Sequence, residues 1–391
     1  MTPAARLQAA IEILDQAIAS ARDDGPPADS IVTRYFKTRR YAGSKDRRTV
    51  RELVFRAIRA VAERPKTGRA AVLTLAQSDP SLVHFFGEPR GPEPLIDGES
   101  TAEAAVVPAW LNSELSALVG PDEWSALLER APLDLRVNVA RTSREEVLPR
   151  FEGGQPTPLS PWGVRLPADS RVDDHPAFAE GLFEVQDEGS QLIALACTPL
   201  EDGNVLDLCA GAGGKSLALS AAAPDAQILA TDSNRSRLAK LQPRADRAGA
   251  TIAVRLLNPP HELEELSDVR GQADLVLVDA PCSGSGTWRR NPEGRWRLTP
   301  ERLDRVVALQ ARLLDMAAEL VRPGGGIVYA VCSLLSREGA GQIEDFLSRR
   351  SSWIAEETPF AAGRLDGVGK LLTPGHDGTD GFFVARLVRP C

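Results

Sequence analysis

Two of the five cysteines stand where chemistry is done in α/β proteins. Asp274 to Val278 reads as a short buried strand that ends on Asp279, after which Pro281, Cys282, Gly284 and Gly286 break it. A carboxylate and a thiol are thereby presented at the carboxyl end of a strand, where open α/β sheets place ligands. Tyr329-Ala330-Val331-Cys332-Ser333 repeats the arrangement with a second thiol. Either cysteine alone is equally well read as a small hydrophobe in a turn. The pair, at two strand ends facing one crevice, is not so easily set aside.

A third strand end carries Leu206-Asp207-Leu208-Cys209-Ala210-Gly211-Ala212-Gly213-Gly214-Lys215-Ser216, a glycine loop opening a helix. Glycines admit a ligand close to the backbone, and a helix N-terminus offers free N–H groups. Gly211 to Gly214 is too short for the phosphate loop G-x-x-x-x-G-K-[ST], so a nucleotide phosphate cradle is disfavoured. Asp232 ends the next strand, about twenty residues on, where an acid suits a pair of ribose hydroxyls. Loop and acid together indicate an adenosine-containing cofactor, a dinucleotide or S-adenosylmethionine. Two thiols beside such a cofactor suit methylation of a cytosine at carbon 5. That carbon is a poor nucleophile until a thiolate adds to carbon 6 and makes an enamine.

The elements that must position these groups alternate from Gly181 onward. Helix 187–197, strand 204–208, helix 214–222, strand 227–230, helix 235–249 and strand 251–256 precede the Asp279 strand. Helix 301–321, strand 326–331, helix 336–349 and strand 381–388 follow it. Alternation predicts a parallel sheet with helices on both faces, and the last strand is the candidate antiparallel edge. Upstream, helices are expected at 3–22, 46–63 and 69–76, a linker at 79–107, and short helices at 108–118 and 122–130. Strands at 135–139, 163–166 and 182–185 with a helix at 144–151 predict a small α+β module over 131–180. The expected division is a helical region 1–130, that module, and a catalytic domain 181–391.

The 391 residues carry a net charge of −8 and ordinary apolar content, 43%, which on totals does not advertise nucleic acid. The distribution does. Between residues 34 and 69 thirteen Lys or Arg, among them Arg39, Arg40, Arg47 and Arg48, oppose three acids. A solvated helix face is the plain alternative, but charge so concentrated repels itself unless a polyanion offsets it. No apolar run approaches the roughly 20 residues of a membrane span. The scattered cysteines and histidines suggest no metal, and free thiols point to a reducing cytoplasm.

With these residues in hand, positions 183 to 388 resemble the Sun-type family of RNA cytosine-5 methyltransferases, in its bacterial form. The likeness rests on Phe183-Glu184-Val185-Gln186-Asp187, Cys209 to Lys215, Asp232, Asp279-Ala280-Pro281-Cys282-Ser283-Gly284 and Tyr329 to Ser333. Arg289-Arg290-Asn291-Pro292 and Asp380-Gly381-Phe382-Phe383 also match. Pro132 to Asn138 looks like the family's RNA-binding module, and residues 1 to 78 faintly resemble its NusB-like helical domain.

The resemblance implies a class I S-adenosylmethionine-dependent methyltransferase fold, Rossmann-like and mostly parallel. It implies Cys332 as nucleophile, Cys282 as the thiol that releases product, and Asp279 against the cytosine edge. Cys209, Ala210, Gly211, Ala212, Gly213, Gly214, Lys215 and Asp232 would surround S-adenosylmethionine, with Asp279 bordering it. Arg289 and Arg290 would flank an RNA, ribosomal by the N-terminal likeness. Where the family has Ala-Pro in the glycine loop this chain has Gly211-Ala212, and Val331 stands for a Thr. The family's adenine-contacting Asp aligns with Asn258, whose amide carbonyl can still accept from an amino group. The expected state is a monomer.

Other readings are a tRNA methyltransferase, a DNA cytosine methyltransferase, and an RNA-binding assembly factor that retains only the fold. A DNA enzyme would use the Pro-Cys thiol itself as nucleophile, which Cys332 and the lack of a Glu-Asn-Val segment oppose. The intact Cys282, Cys332, Asp279 and Asp232 oppose the third.

Overall fold

The structure, a computed structural model, describes residues 1–198 and 202–391. The chain forms two compact units. One comprises Met1–Glu114, Trp124–Glu129 and Thr287–Pro300; the other comprises Leu115–Glu123, Arg130–Gly286 and Glu301–Cys391. No helix among the described residues is long and apolar enough to cross a membrane.

The first unit is built on four helices, α1 (Pro3–Arg22), α2 (Ala28–Lys37), α3 (Ser44–Ala60) and α4 (Gly68–Ser78). Thr2 caps α1 by accepting from the Ala5 N–H, and Pro3 sits at the first position, where its missing N–H costs nothing. Leu7, Ile11 and Leu14 are buried as their spacing predicts. Helix α2 was not expected. Its buried Ile31, Val32, Tyr35 and Phe36 recur at helical spacing, but they lie among cations that dominate that stretch. The helices expected at 108–118 and 122–130 are only three-residue 3-10 turns, at Ala109–Leu111, Pro121–Glu123 and Ser125–Leu127.

A distant segment, Thr287–Pro300, completes this unit by serving helix ends. Glu293 accepts from the Ala28 N–H at the start of α2, 3.1 Å away. Arg295 donates to the Ile58 carbonyl of the last turn of α3 (2.6 Å) and to Val106 (2.7 Å), and the Trp296 indole donates to Val61 just past α3 (3.0 Å). Arg297 donates to Gly25 and Pro26 between α1 and α2. Helix termini leave N–H and C=O groups unpaired, and a buried one costs about 1–3 kcal/mol. Here side chains far along the chain supply the partners.

The second unit holds two sheets. The smaller, in spatial order β2-β3-β1-β4, is antiparallel and consists of β1 (Leu133–Val137), β2 (Gln155–Pro156), β3 (Gly163–Leu166) and β4 (Phe183–Val185). Leu135, Val137, Val164, Leu166 and Phe183 form its core. The larger contains β5 (Asn204–Asp207), β6 (Gln227–Asp232), β7 (Ala253–Leu256), β8 (Ala273–Asp279) and β9 (Val321–Val331). It also contains β10 (Ile354–Glu356), β11 (Arg364–Asp366), β12 (Gly369–Leu372) and β13 (Phe382–Val388). Its order is β11-β12-β13-β9-β8-β5-β6-β7, with β10 also paired to β13.

Strands β5 to β9 are mutually parallel, and β13 runs antiparallel to β9, as alternation and the likeness predicted. This is the Rossmann-like mixed sheet of class I methyltransferases. The last strand is not an edge, however. β10, β11 and β12 extend the sheet beyond it, and these segments of three or four residues, interrupted by glycine and charge, are too short for a periodic signal. The chain proceeds from β5 outward to β7 and then returns to the other side of β5 as β8. The reversal puts a switch point between β5 and β8, where doubly wound sheets open their ligand crevice.

Candidate active site

The parallel strands bring Asp207, Asp232, Asp279 and Cys332 to one edge of the sheet, because each lies at the end of its strand or one residue past it. Asp207 stays under the glycine loop, where its carboxylate accepts from the Ser216 hydroxyl at 2.6 Å and braces the first turn of helix Gly214–Ala222. Its other oxygen is buried with no partner. Burial, chiefly, raises the Asp207 carboxyl to about 7, against the Ser216 hydrogen bond and with help from the nearby Asp279 charge.

An acid raised on folding holds a proton that the unfolded chain has lost. The native state therefore gains least from Asp207 above pH 7, and stability falls as pH rises from about 4 to about 7. Asp207→Asn keeps an acceptor for Ser216 and removes the buried charge. Urea melts at pH 5 and pH 8 should show the variant losing less stability between them than the parent, by on the order of 3 kcal/mol. Equal losses in both proteins would count against the buried ionisation.

Gly213 has φ 80, the left-handed region, and a Cβ there would lie 2.5 Å from Leu241, so the loop needs glycine at this turn. Asp232 tightens the loop from the side: its carboxylate accepts from the Gly211 N–H (2.8 Å) and from the Asn234 N–H (2.6 Å). Arg244, ion-paired with Glu184 of β4, donates to the Ala212 carbonyl at 2.6 Å. The small sheet thus helps hold the loop, a connection no local pattern carries.

Asn258 follows β7 on the surface. Its backbone N–H and its amide N–H both go to Glu265, at 2.8 and 2.7 Å, so the amide carbonyl is left as an acceptor. The glycine loop, Asp232 and Asn258 offer backbone N–H groups, a carboxylate and an amide acceptor, the kinds of group that suit an adenosine-containing cofactor such as S-adenosylmethionine.

Beside them stand the thiols. Cys282 Sγ lies 3.3 Å from Cys332 Sγ. Lys215 donates to Asp279 at 2.7 Å and sits 5.5 Å from the Phe382 ring. Burial alone would lower the Lys215 ammonium, which is 9% exposed, but the Asp279 charge and hydrogen bond outweigh it, and the Cys332 sulfur adds to the same effect. The Cys282 thiol is pushed well above its ordinary range, first by its hydrogen bond to Cys332, then by burial and by the Cys332 and Glu338 charges. Cys209 is raised too, by burial and then by Asp207, Asp232 and Asp279. Two of the three thiols here therefore keep their protons, and the third has a cation as a neighbour.

The loops bearing the thiols are stitched together. The Gly286 N–H donates to the Cys332 carbonyl at 3.0 Å, and Gly381 donates to the Gly286 carbonyl at 2.7 Å. A Cβ at Gly286 would fall 2.0 Å from the Gly381 carbonyl oxygen, so no other residue fits. Glu338, Gln310, Ser285 and Ser333 fill the space beneath, and all four are buried. Ser333 closes the Tyr329–Ser333 motif, but Glu338, Gln310 and Ser285 carry no motif signal, and only the fold gathers them.

Of the arginines, Arg289 is 6% exposed and Arg290 half-buried, both within the helical unit's long-range segment. Arg39 lies 3.6 Å from the Tyr35 ring centroid and pairs with Glu12, and Arg47 donates to the Ala42 carbonyl. Arg40 and Arg48 are exposed, with Arg34, Lys37 and Lys45, and no ion pair engages these five among the described residues.

Against known proteins, the family described as 16S rRNA methyltransferase RsmB/F matches residues 194–388. The ribosomal RNA small subunit methyltransferase B of Salmonella arizonae is 34% identical over 309 residues, 77% of this chain and 70% of that protein. In structure, the chain resembles the protein PH0851 (TM-score 0.77, 22% identity, 99% of each chain covered). It also resembles a methyltransferase homologue from Pyrococcus horikoshii (TM-score 0.59, 25% identity, 68% of this chain and 90% of that one). The chain belongs to the RsmB/F family of 16S rRNA methyltransferases, whose cofactor is S-adenosylmethionine.

Proposed function

We propose that the protein methylates carbon 5 of a cytosine in 16S rRNA through a transient bond from Cys332 to carbon 6 of the base. The observation that carries this is the 3.3 Å pair Cys282–Cys332 beside the Lys215–Asp279 ion pair, on the edge that holds the cofactor loop. One thiol alone would serve addition. A second thiol that keeps its proton serves departure.

The target base must leave its stack, because carbon 6 is closed to attack inside a helix. Lys215, paired with Asp279, sets a positive charge near the Cys332 sulfur. One Asp279 oxygen is taken by Lys215, and the second accepts from the exocyclic amino group of the base and orients the ring. Cys332 sulfur adds to carbon 6, and the electron pair moves to carbon 5. S-adenosylmethionine would supply the electrophilic methyl group for carbon 5, its sulfonium sulfur keeping the electron pair of the broken S–CH3 bond and leaving as the neutral thioether. A base from solvent takes the carbon 5 proton, and the electron pair of that bond re-forms the 5,6 double bond and expels the Cys332 sulfur, which takes the Cys282 proton as it leaves; Cys282 then regains a proton from water. The exposed cations Arg34, Lys37, Arg40, Lys45 and Arg48 are proposed to meet RNA phosphates.

Purified protein, labelled S-adenosylmethionine and 16S rRNA, with tRNA as a parallel substrate, test the reading. Label should appear as 5-methylcytidine in the 16S rRNA digest. Label confined to tRNA, or to another nucleoside, would overturn it.

A further inference from the structure

Beneath the two thiols lies a carboxylate that the proposed chemistry does not use. Glu338 is fully buried. One of its oxygens accepts from the Ser283 N–H (2.8 Å) and from the Gln310 amide (3.0 Å), and the other from the Ser333 hydroxyl. Ser283 follows Cys282 in the chain, and Ser333 follows Cys332. Gln310, itself buried, also donates to the carbonyl of Pro281, on the other side of Cys282, at 2.9 Å. The three hydroxyls of Ser283, Ser285 and Ser333 lie 3.1 to 3.2 Å from one another above the carboxylate. Ser285 and Ser333 in turn accept from the Leu334 and Leu335 N–H groups, so the backbone after Cys332 is held as well.

A carboxylate with three neutral donors is an expensive way to fill a core, since an amide or an apolar group would avoid the desolvation. Fold maintenance alone does not call for it at this spot. What the arrangement achieves is a common anchor for two loops fifty residues apart, each fastened at the residue next to its cysteine.

We infer that Glu338, with Gln310, is a positioning residue that holds the Cys282 and Cys332 loops in register and sets a negative charge behind the Cys282 thiol. The second consequence agrees in direction with the upward push that Glu338 exerts on that thiol. The other titratable groups facing Cys282 are Cys332 and the buried Tyr329, whose hydroxyl donates to the Glu338 backbone carbonyl at 2.7 Å. The inference rests on the two-thiol reading above. Glu338 touches neither substrate nor cofactor in this account and acts only through the loops.

Glu338→Gln separates the two consequences. The amide keeps a carbonyl for Ser283 and Gln310, and the Ser333 hydroxyl can turn to accept from its NH2, so the register is largely preserved while the charge is lost. The turnover rate should fall about tenfold, a fraction of the usual range for a proton-transfer group. KM for RNA and for S-adenosylmethionine should stay within about threefold, because no ligand contact is removed. With the charge gone the Cys282 thiol loses its proton more easily, so the alkaline limb of the pH–rate profile should move to lower pH. Glu338→Ala removes the anchor also and should lower turnover by at least about a hundredfold. If that variant fails to fold by circular dichroism, Glu338→Gln alone decides. Parental turnover and an unmoved alkaline limb in Glu338→Gln would overturn the inference. Cys332→Ala run in parallel keeps the underlying reading separate: if it still methylates, the two-thiol scheme fails, whatever Glu338→Gln does.

Discussion

Replacing Cys332 with alanine is expected to remove both turnover and any covalent complex with RNA, whereas replacing Cys282 with alanine should leave a protein–RNA adduct that survives a denaturing gel. The two sulfurs are 3.3 Å apart and share one environment, so a role assigned by position alone would be ambiguous. The asymmetry lies in their neighbours. Cys282 faces the buried Glu338 and is pushed towards its protonated form, and Cys332 has the Lys215 ammonium in its field. A nucleophile is wanted as thiolate and a leaving-group acid as thiol. Loss of Cys332 removes bond formation itself, so a fall of four or more orders of magnitude (roughly 10⁴) is in the range of other nucleophile deletions. Loss of Cys282 slows only the exit, and the blocked intermediate accumulates. The opposite pattern, with Cys282→Ala inactive and adduct-free and Cys332→Ala trapping RNA, would reverse the assignment.

Trp296→Ala is expected to weaken the helical unit by about 3–5 kcal/mol, the usual cost of emptying a large aromatic site. Trp296 is 1% exposed and belongs to the same core as Leu7, Leu14 and Ile58. It does so although 235 positions separate it from Val61, just past the end of α3, whose carbonyl its indole N–H serves. Trp296→Phe keeps most of the aromatic volume, and leaving the Val61 carbonyl without its donor should contribute about 1–3 kcal/mol to its cost. Amide hydrogen exchange reads the effect: protection in α2 and α3 should fall by at least about a hundredfold in Trp296→Ala, and protection in β5 and β6 should hold. Unchanged protection in α3 would mean that segment 287–300 does not support the unit in the way its contacts suggest.

Much of this molecule is open to reading from residue order. Strand ends are legible because a short apolar run closing on a polar residue and a glycine has few other meanings. Asp232, Asp279, Cys282 and Cys332 could therefore be put at strand termini, and the parallel sheet followed from alternation. Helix α2 escaped because its apolar residues are few beside its cations. β10, β11 and β12 escaped because three or four residues hold too little periodicity. The expectation of a last strand at the edge failed for the same reason.

Residue types and their order along the chain were enough to determine the sheet's direction and to put the glycine loop and the two thiols at strand ends. Only tertiary structure decided how close the sulfurs lie, that Lys215 is paired with Asp279, and that Glu338 and Gln310 tie the two cysteine loops together. It also decided that Glu293, Arg295, Trp296 and Arg297 belong to helix ends formed early in the chain. The physical reason is common to all of these. Local patterns arise from backbone geometry repeated about every two or 3.6 residues, whereas a buried polar group takes whatever partner the fold brings within about 3 Å, at any separation in sequence.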